Sequence, residues 1–170
     1  MAYAFENLNA WKEARKLVVI VYQLLDRFPK FEKYALCDQI RRAIVSVPSN
    51  IAEGSGRTSP KEQLHFYEIS YGSLMETYNQ LVIAADLNYI GGDNLEELKP
   101  QIDTVARMLN GLRSSLMKKI EDTTVNRKLK KEHAQRRNYR MRLRRRSPQG
   151  LVGTQQPRVQ TLYQRPRQGV

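Results

Sequence analysis

Apolar residues recur along this chain at alternating intervals of three and four, and four segments sustain the pattern. The first carries Trp11, Ala14, Val18, Val21, Leu25 and Phe28, and the second Cys37, Ile40, Ile44, Val47 and Ile51. The third carries Leu64, Tyr67, Tyr71, Leu74, Tyr78, Leu81 and Ala85. The fourth carries Leu95, Leu98, Ile102, Val105, Leu109, Leu112 and Leu116. A period of about 3.5 keeps one stripe of a helix facing its neighbours, whereas a half-buried strand needs a period of about two. No segment maintains the shorter period, so four amphipathic helices are predicted.

The residues between the stripes supply ends for these helices. Ser59-Pro60-Lys61-Glu62 places a capping serine before a proline at the first helical position and a glutamate at the third. Asn94 and Glu97 offer a similar start for the fourth helix, and Gly91-Gly92 a left-handed turn to close the third. Phe28-Pro29 is expected to end the first helix and Gly54-Ser55-Gly56 the second. Connections this short join antiparallel neighbours, which gives an up-down-up-down bundle. Pro48 lacks a backbone donor and is expected to kink the second helix. Pro100 should either bend the first turns of the fourth or delay its start.

Charge divides the chain in two. Residues 1–122 hold 15 basic and 16 acidic side chains, whereas residues 123–170 hold 14 basic and a single acid, Glu132. The overall net charge of +12 therefore belongs to the last 48 residues. No Gly or Pro occurs between Leu112 and Ser147, so the fourth helix can continue into the basic tract, where self-repulsion should fray it. From Ser147 onward, 12 of 24 residues are Pro, Gly or Gln, a composition that cannot bury a core and is expected to be disordered. The predicted fold is thus all-α: a four-helix bundle over 1–122, a basic helical arm over 123–146 and a disordered tail over 147–170.

This composition excludes several chemistries. One cysteine, Cys37, forms no intramolecular disulfide, and two histidines cannot complete a zinc site around it. No apolar run approaches the roughly 20 residues that span a bilayer, and the first residues lack a secretory pattern, so a cytoplasmic protein is expected. Glu62-Gln-Leu-His65 has the Glu-x-x-His spacing of bundle di-iron sites, but the second such pair is missing, so no metal or other cofactor is expected. Ser115-Leu-Met-Lys118 matches the Ser-x-x-Lys of acyl enzymes without its partner motifs. Gly54-Ser-Gly-Arg57 could present backbone donors to an anion, yet it reads more simply as an interhelical turn. Cys37 falls on the apolar stripe and is expected to be a buried thiol. The three stripe tyrosines read as core. No catalytic residue is identified, and the chain is expected to be a non-enzyme.

The arm carries the chemistry that remains. Arg127, Lys128, Lys130, Lys131, Arg136, Arg137, Arg140, Arg142, Arg144, Arg145 and Arg146 place eleven cations in twenty residues. Such a tract attracts phosphates through counterion release. Its arginines suit bidentate phosphate contact and stacking on bases. Tyr139 is the only aromatic among them, so the arm has no aromatic-rich surface for reading bases. The competing readings are a solvated tail or a loose anchor to anionic lipid. Too few apolar residues lie on any face for membrane insertion. RNA is the expected ligand.

The stretch Gln39-Ile-Arg-Arg-Ala-Ile-Val-Ser-Val-Pro-Ser-Asn-Ile-Ala-Glu-Gly-Ser-Gly-Arg57 is long and distinctive. It resembles the signature of the bacterial four-helix bundle family first associated with intervening sequences in 23S ribosomal RNA genes. That family also includes the accessory variability determinants of diversity-generating retroelements. Phe5-Glu-Asn-Leu-Asn-Ala-Trp11 and Gly72-Ser-Leu-Met-Glu76 resemble its other recurring segments, and the likeness runs over about residues 5–120.

The resemblance implies a homopentameric ring of bundles. For the retroelement branch it implies a partner of the element's reverse transcriptase and template RNA, or of the RNA–cDNA hybrid, with the polymerase active site in the partner. The alternative within the family is an oligomeric interaction scaffold of unassigned role. Among the motif residues, Pro48 is expected to free backbone groups that Ser49, Asn50 and Glu53 can use, and Gly72 to allow close helix approach. Gly54 and Gly56 belong to the turn. Arg41, Arg42 and Arg57 bring positive charge to the bundle, for a partner or for pairing with Asp38, Glu53 or Glu76.

Overall fold

A computed structural model describes residues 3–146. Four α-helices make up the body: α1 (Asn9–Leu25), α2 (Leu36–Ser55), α3 (Pro60–Asp86) and α4 (Gly92–Arg146). Two short 3₁₀-helices, Ala4–Asn7 and Lys30–Tyr34, precede α1 and α2, and no strand occurs among the described residues. The chain divides between Lys128 and Leu129 into two compact units, so the bundle lies within the first.

Contacts between the helices establish the direction of each. Tyr67, near the start of α3, packs at Gly54 near the end of α2. Tyr89, just after α3, meets Phe28 and Phe31, just after α1. Asn94 and Leu98 at the start of α4 line a cleft with Leu24 and Arg27 at the end of α1. Arg113 of α4 stands 4.9 Å from the Tyr71 ring of α3. Consecutive helices are therefore antiparallel neighbours, and the all-α up-down bundle expected from the short connections is the observed fold.

The predicted stripes are met to different degrees. Cys37, Ile40, Ile44, Val47 and Ile51 of α2 are all buried, in the register expected. In α1 the buried line is Ala10, Ala14, Leu17, Val21, Leu24 and Leu25, while Trp11 and Val18 only flank it. Leu17 to Val21 is continuously apolar, so periodicity alone does not choose the inward face there. Packing chooses the line that starts with two alanines. Phe28 is buried but lies beyond the end of α1.

In α3 the inward face is partly polar. Ser70, Ser73, Thr77 and Gln80 are buried alongside Tyr67, Leu74, Leu81 and Ala84, while Leu64, Tyr71, Tyr78 and Ala85 lie half-buried against the core. Burial of hydroxyls is tolerable when each is hydrogen-bonded. Ser70 Oγ donates to the Val47 carbonyl at 2.9 Å, Ser73 Oγ to Ser46 Oγ at 3.0 Å, and Thr77 Oγ1 back to the Ser73 carbonyl at 2.9 Å. Two of these bonds tie α3 to α2 next to Pro48.

Helix ends depart from expectation in three places. α3 is closed by Asn88, the sole non-glycine residue with positive φ (57°) among the described residues. Tyr89 N–H donates to the Ala84 carbonyl and Asn88 N–H to the Ala85 carbonyl, the paired bonds of a Schellman cap. Gly91-Gly92 does not form that turn, because α4 already begins at Gly92, with Asn94 inside its first turn. Pro100 does not delay α4, since the helix passes through it and Thr104 Oγ1 donates to its carbonyl at 2.8 Å. Ser59 does precede α3, with Pro60 in its first turn, but its hydroxyl makes no capping bond.

Candidate nucleic-acid interface

The cationic arm lies on α4. Its helix continues to Arg146, with Arg144 and Arg145 in the same last turn. Arg127, Lys128, Lys130, Lys131, Arg136, Arg137, Arg140 and Arg142 are all exposed. Among the described residues none of them lies within ion-pairing distance of a carboxylate. At 3.6 residues per turn these positions fall on every side of the helix, which spreads the like charges apart. The result is a rod that is positive all round, suited to phosphates approaching from several directions. The tail expected to be disordered, 147–170, lies outside the described residues.

The motif between Gln39 and Arg57 occupies α2 and its exit. α2 runs unbroken across Pro48 from Leu36 to Ser55. Ser49 Oγ donates to the Val45 carbonyl at 2.8 Å, and Asn50 Nδ2 to the Ser46 carbonyl at 2.7 Å and Ser46 Oγ at 2.8 Å. These are the carbonyls beside that of Ile44, which the missing proline donor would have served. Glu53 takes no part in this, because it pairs with Arg57. Arg42 likewise pairs with Asp38, so intramolecular pairing holds for two of the three motif arginines. Arg41 has no carboxylate among these ion pairs; it donates to the Lys33 carbonyl at 3.5 Å and stands 5.9 Å from the Tyr22 ring.

The motif glycines separate by role. A Cβ on Gly54 would stand 2.8 Å from Tyr67 Cε1 and 3.0 Å from Phe66 Cβ, so this glycine permits the close approach of α2 and α3. Gly72, expected to play that part, permits no such approach within the chain, because it is exposed and nothing lies within 4 Å of its Cβ position. Gly56 N–H donates to the Glu53 carbonyl and Arg57 N–H to the Gly54 carbonyl. Those bonds use the donors that an anion would need, and the segment is an interhelical turn.

The remaining candidates resolve simply. His65 is exposed and stacks edge-on with Phe66. No group of three metal-binding side chains occurs among the described residues. Cys37 is buried, and desolvation raises its thiol above the ordinary value, with Arg41 opposing and Glu32 reinforcing the shift. Burial raises the Tyr67 hydroxyl in the same way. No helix among the described residues is long and apolar enough to cross a membrane.

One feature escapes periodicity. The Lys30–Tyr34 3₁₀-helix, with sequence Lys-Phe-Glu-Lys-Tyr, carries exposed Phe31 and Tyr34 beside Lys30 and Lys33. Alternation of cations and rings over five residues was the available signal, hidden because it falls between two stripes.

A family model described as 23S rRNA-intervening sequence protein matches residues 6–111. A crystal structure of a protein with unknown function from the S23 ribosomal protein family of Bacteroides thetaiotaomicron is similar in fold, with a TM-score of 0.55 and 18% identity. The alignment covers 61% of this chain and 97% of that one. No curated protein matches significantly. Bundle topology, the α2 motif and the matched span agree: the chain belongs to the 23S rRNA-intervening sequence protein family.

Proposed function

We propose that this protein is a non-catalytic RNA-binding scaffold of the cytoplasm. In the narrower form of the reading it is the accessory subunit of a diversity-generating retroelement, holding reverse transcriptase and template RNA together during mutagenic cDNA synthesis. The observation that carries the RNA-binding part is the arm: eleven Lys and Arg in residues 127–146 against one acid. A bundle that only assembled with itself has no use for such a tract. The retroelement part rests on the resemblance of the α2 motif. In this reading the bundles form a homopentamer, and a ring of arms acts multivalently on one RNA.

The second reading, an oligomeric interaction scaffold without RNA, is supported by the family match itself, which lies on residues 6–111 and stops short of the arm. Deleting residues 123–170 separates the two. Each phosphate contact contributes about −0.7 to the slope of log affinity against log salt for a single strand. The deletion is expected to remove most of that slope while the bundle keeps its helical circular-dichroism signal. An unchanged slope overturns the assignment to the arm. Co-purification with the reverse transcriptase lost on the same deletion, with RNA affinity intact, places the polymerase on the arm instead.

A further inference from the structure

Tyr34, at 84% exposure, and Phe31, at 73%, are the most exposed aromatic side chains among the described residues. They stand three apart in a 3₁₀-helix, where side chains at i and i+3 eclipse, so both rings lie on one side. Phe31 is backed by packed rings. Phe31 meets Tyr89 edge-to-face at 6.0 Å between centroids, and Tyr89 in turn meets the buried Phe28 at 6.1 Å.

The charges around the rings are mostly positive. Glu32, the single acid of the segment, has both oxygens engaged by the protein's own donors. Tyr89 Oη donates to Oε1 at 3.2 Å and Leu36 N–H to Oε2 at 3.1 Å. Lys30, Lys33 and Arg41 have no carboxylate among the ion pairs of the described residues. Lys33 Nζ stands 5.3 Å from the Tyr34 ring, and Arg41 reaches the Lys33 carbonyl. A ligand complementary to this corner carries a negative backbone and flat apolar faces at short intervals. Single-stranded nucleic acid has that chemistry, with phosphates on the cations and bases on the rings.

We propose that the Lys30–Tyr34 corner is a stacking platform for single-stranded RNA, with bases on Phe31 and Tyr34 and phosphates on Lys33 and Arg41. It rests on the RNA-binding reading above and places in the near-neutral bundle a contact that is only partly electrostatic.

The test uses the full chain and an oligouridylate carrying one 2-aminopurine. Phe31→Ala with Tyr34→Ala is expected to weaken binding by about tenfold per ring lost. Its salt slope should stay unchanged, and the 2-aminopurine emission quenched on binding to the native protein should recover. Phe31→Tyr with Tyr34→Phe keeps both rings and should keep the affinity. Lys33→Gln with Arg41→Gln should instead lower the slope by about 0.7 for each contact removed. Native affinity in the alanine pair overturns the platform and leaves the arm reading standing. Failure of the native protein to bind the oligonucleotide at low salt overturns both. A changed oligomeric state in the alanine pair by light scattering assigns the corner to a second copy. Loss of a co-purifying protein with RNA affinity intact assigns it to a protein partner. Each of these last two results also overturns the proposal.

Discussion

α2 and α3 lie side by side in the bundle, yet they bury different chemistry. α2 turns inward an aliphatic line of Ile40, Ile44, Val47 and Ile51, each fully buried. α3 turns inward Ser70 and Thr77, also fully buried, alternating with Leu74 and Leu81. The difference follows from how closely the helices approach. Gly54 leaves no space for even a Cβ against Tyr67, and small hydroxyl side chains farther along α3 keep the two backbones near enough for Ser70 to reach the Val47 carbonyl. An aliphatic face holds by area removed from water. A small polar face holds by proximity and adds directional bonds, from Ser70 and Ser73, that fix the pairing of the two helices.

The largest expected effect tests the aliphatic side. Ile44→Ala removes a fully buried side chain from the centre of α2 and is expected to lower stability by about 2–5 kcal/mol, read from urea unfolding. A loss below about 1 kcal/mol would mean that the core collapses around the site, and that the aliphatic face is not what holds α2 in place.

Ser70→Ala tests the polar side and should cost less, about 1 kcal/mol, the net contribution of one intramolecular hydrogen bond. The Val47 carbonyl lies inside α2, so losing the serine does not orphan it. If Ser70→Ala costs as much as Ile44→Ala, the bond is holding the helix pair together and the contrast between the two faces disappears.

The same contrast explains how much of the molecule was legible in its sequence. The α2 stripe is legible in register because Asp38-Gln39, Arg41-Arg42 and Pro48-Ser49-Asn50 interrupt its apolar residues on the outward side. In α1 the stripe holds at Ala14, Val21, Leu25 and Phe28 but not at Trp11 and Val18, because Leu17 to Val21 offers apolar residues on every side. In α3 the apolar half of the face, Tyr67, Leu74 and Leu81, is legible, but its hydroxyl half is not, because Ser and Thr at helical spacing look like solvent residues until a partner carbonyl is placed beside them. The arm needed no fold to be seen, since charge count alone carries it. The Lys30–Tyr34 corner did need one. Its exposure, and the engagement of Glu32 by Tyr89, depend on bringing together segments more than fifty residues apart.

The glycines give the smallest effect and the finest discrimination. Gly54 and Gly72 both belong to segments that resemble the family's recurring sequence, where the pattern assigns Gly54 to a turn and Gly72 to letting helices approach. Only Gly54 permits that approach. Gly72 sits mid-helix on the exposed side of α3, with nothing within 4 Å of a Cβ, so it carries the entropic cost of glycine without a packing reason. Gly72→Ala is therefore expected to stabilise the isolated protein by about 0.5–1 kcal/mol, measured as a higher urea midpoint with an unchanged slope. A loss of stability would instead show that Gly72 meets a neighbour in the assembled protein. Dilution then distinguishes the two cases, because a penalty arising between copies should vanish below the concentration at which they associate.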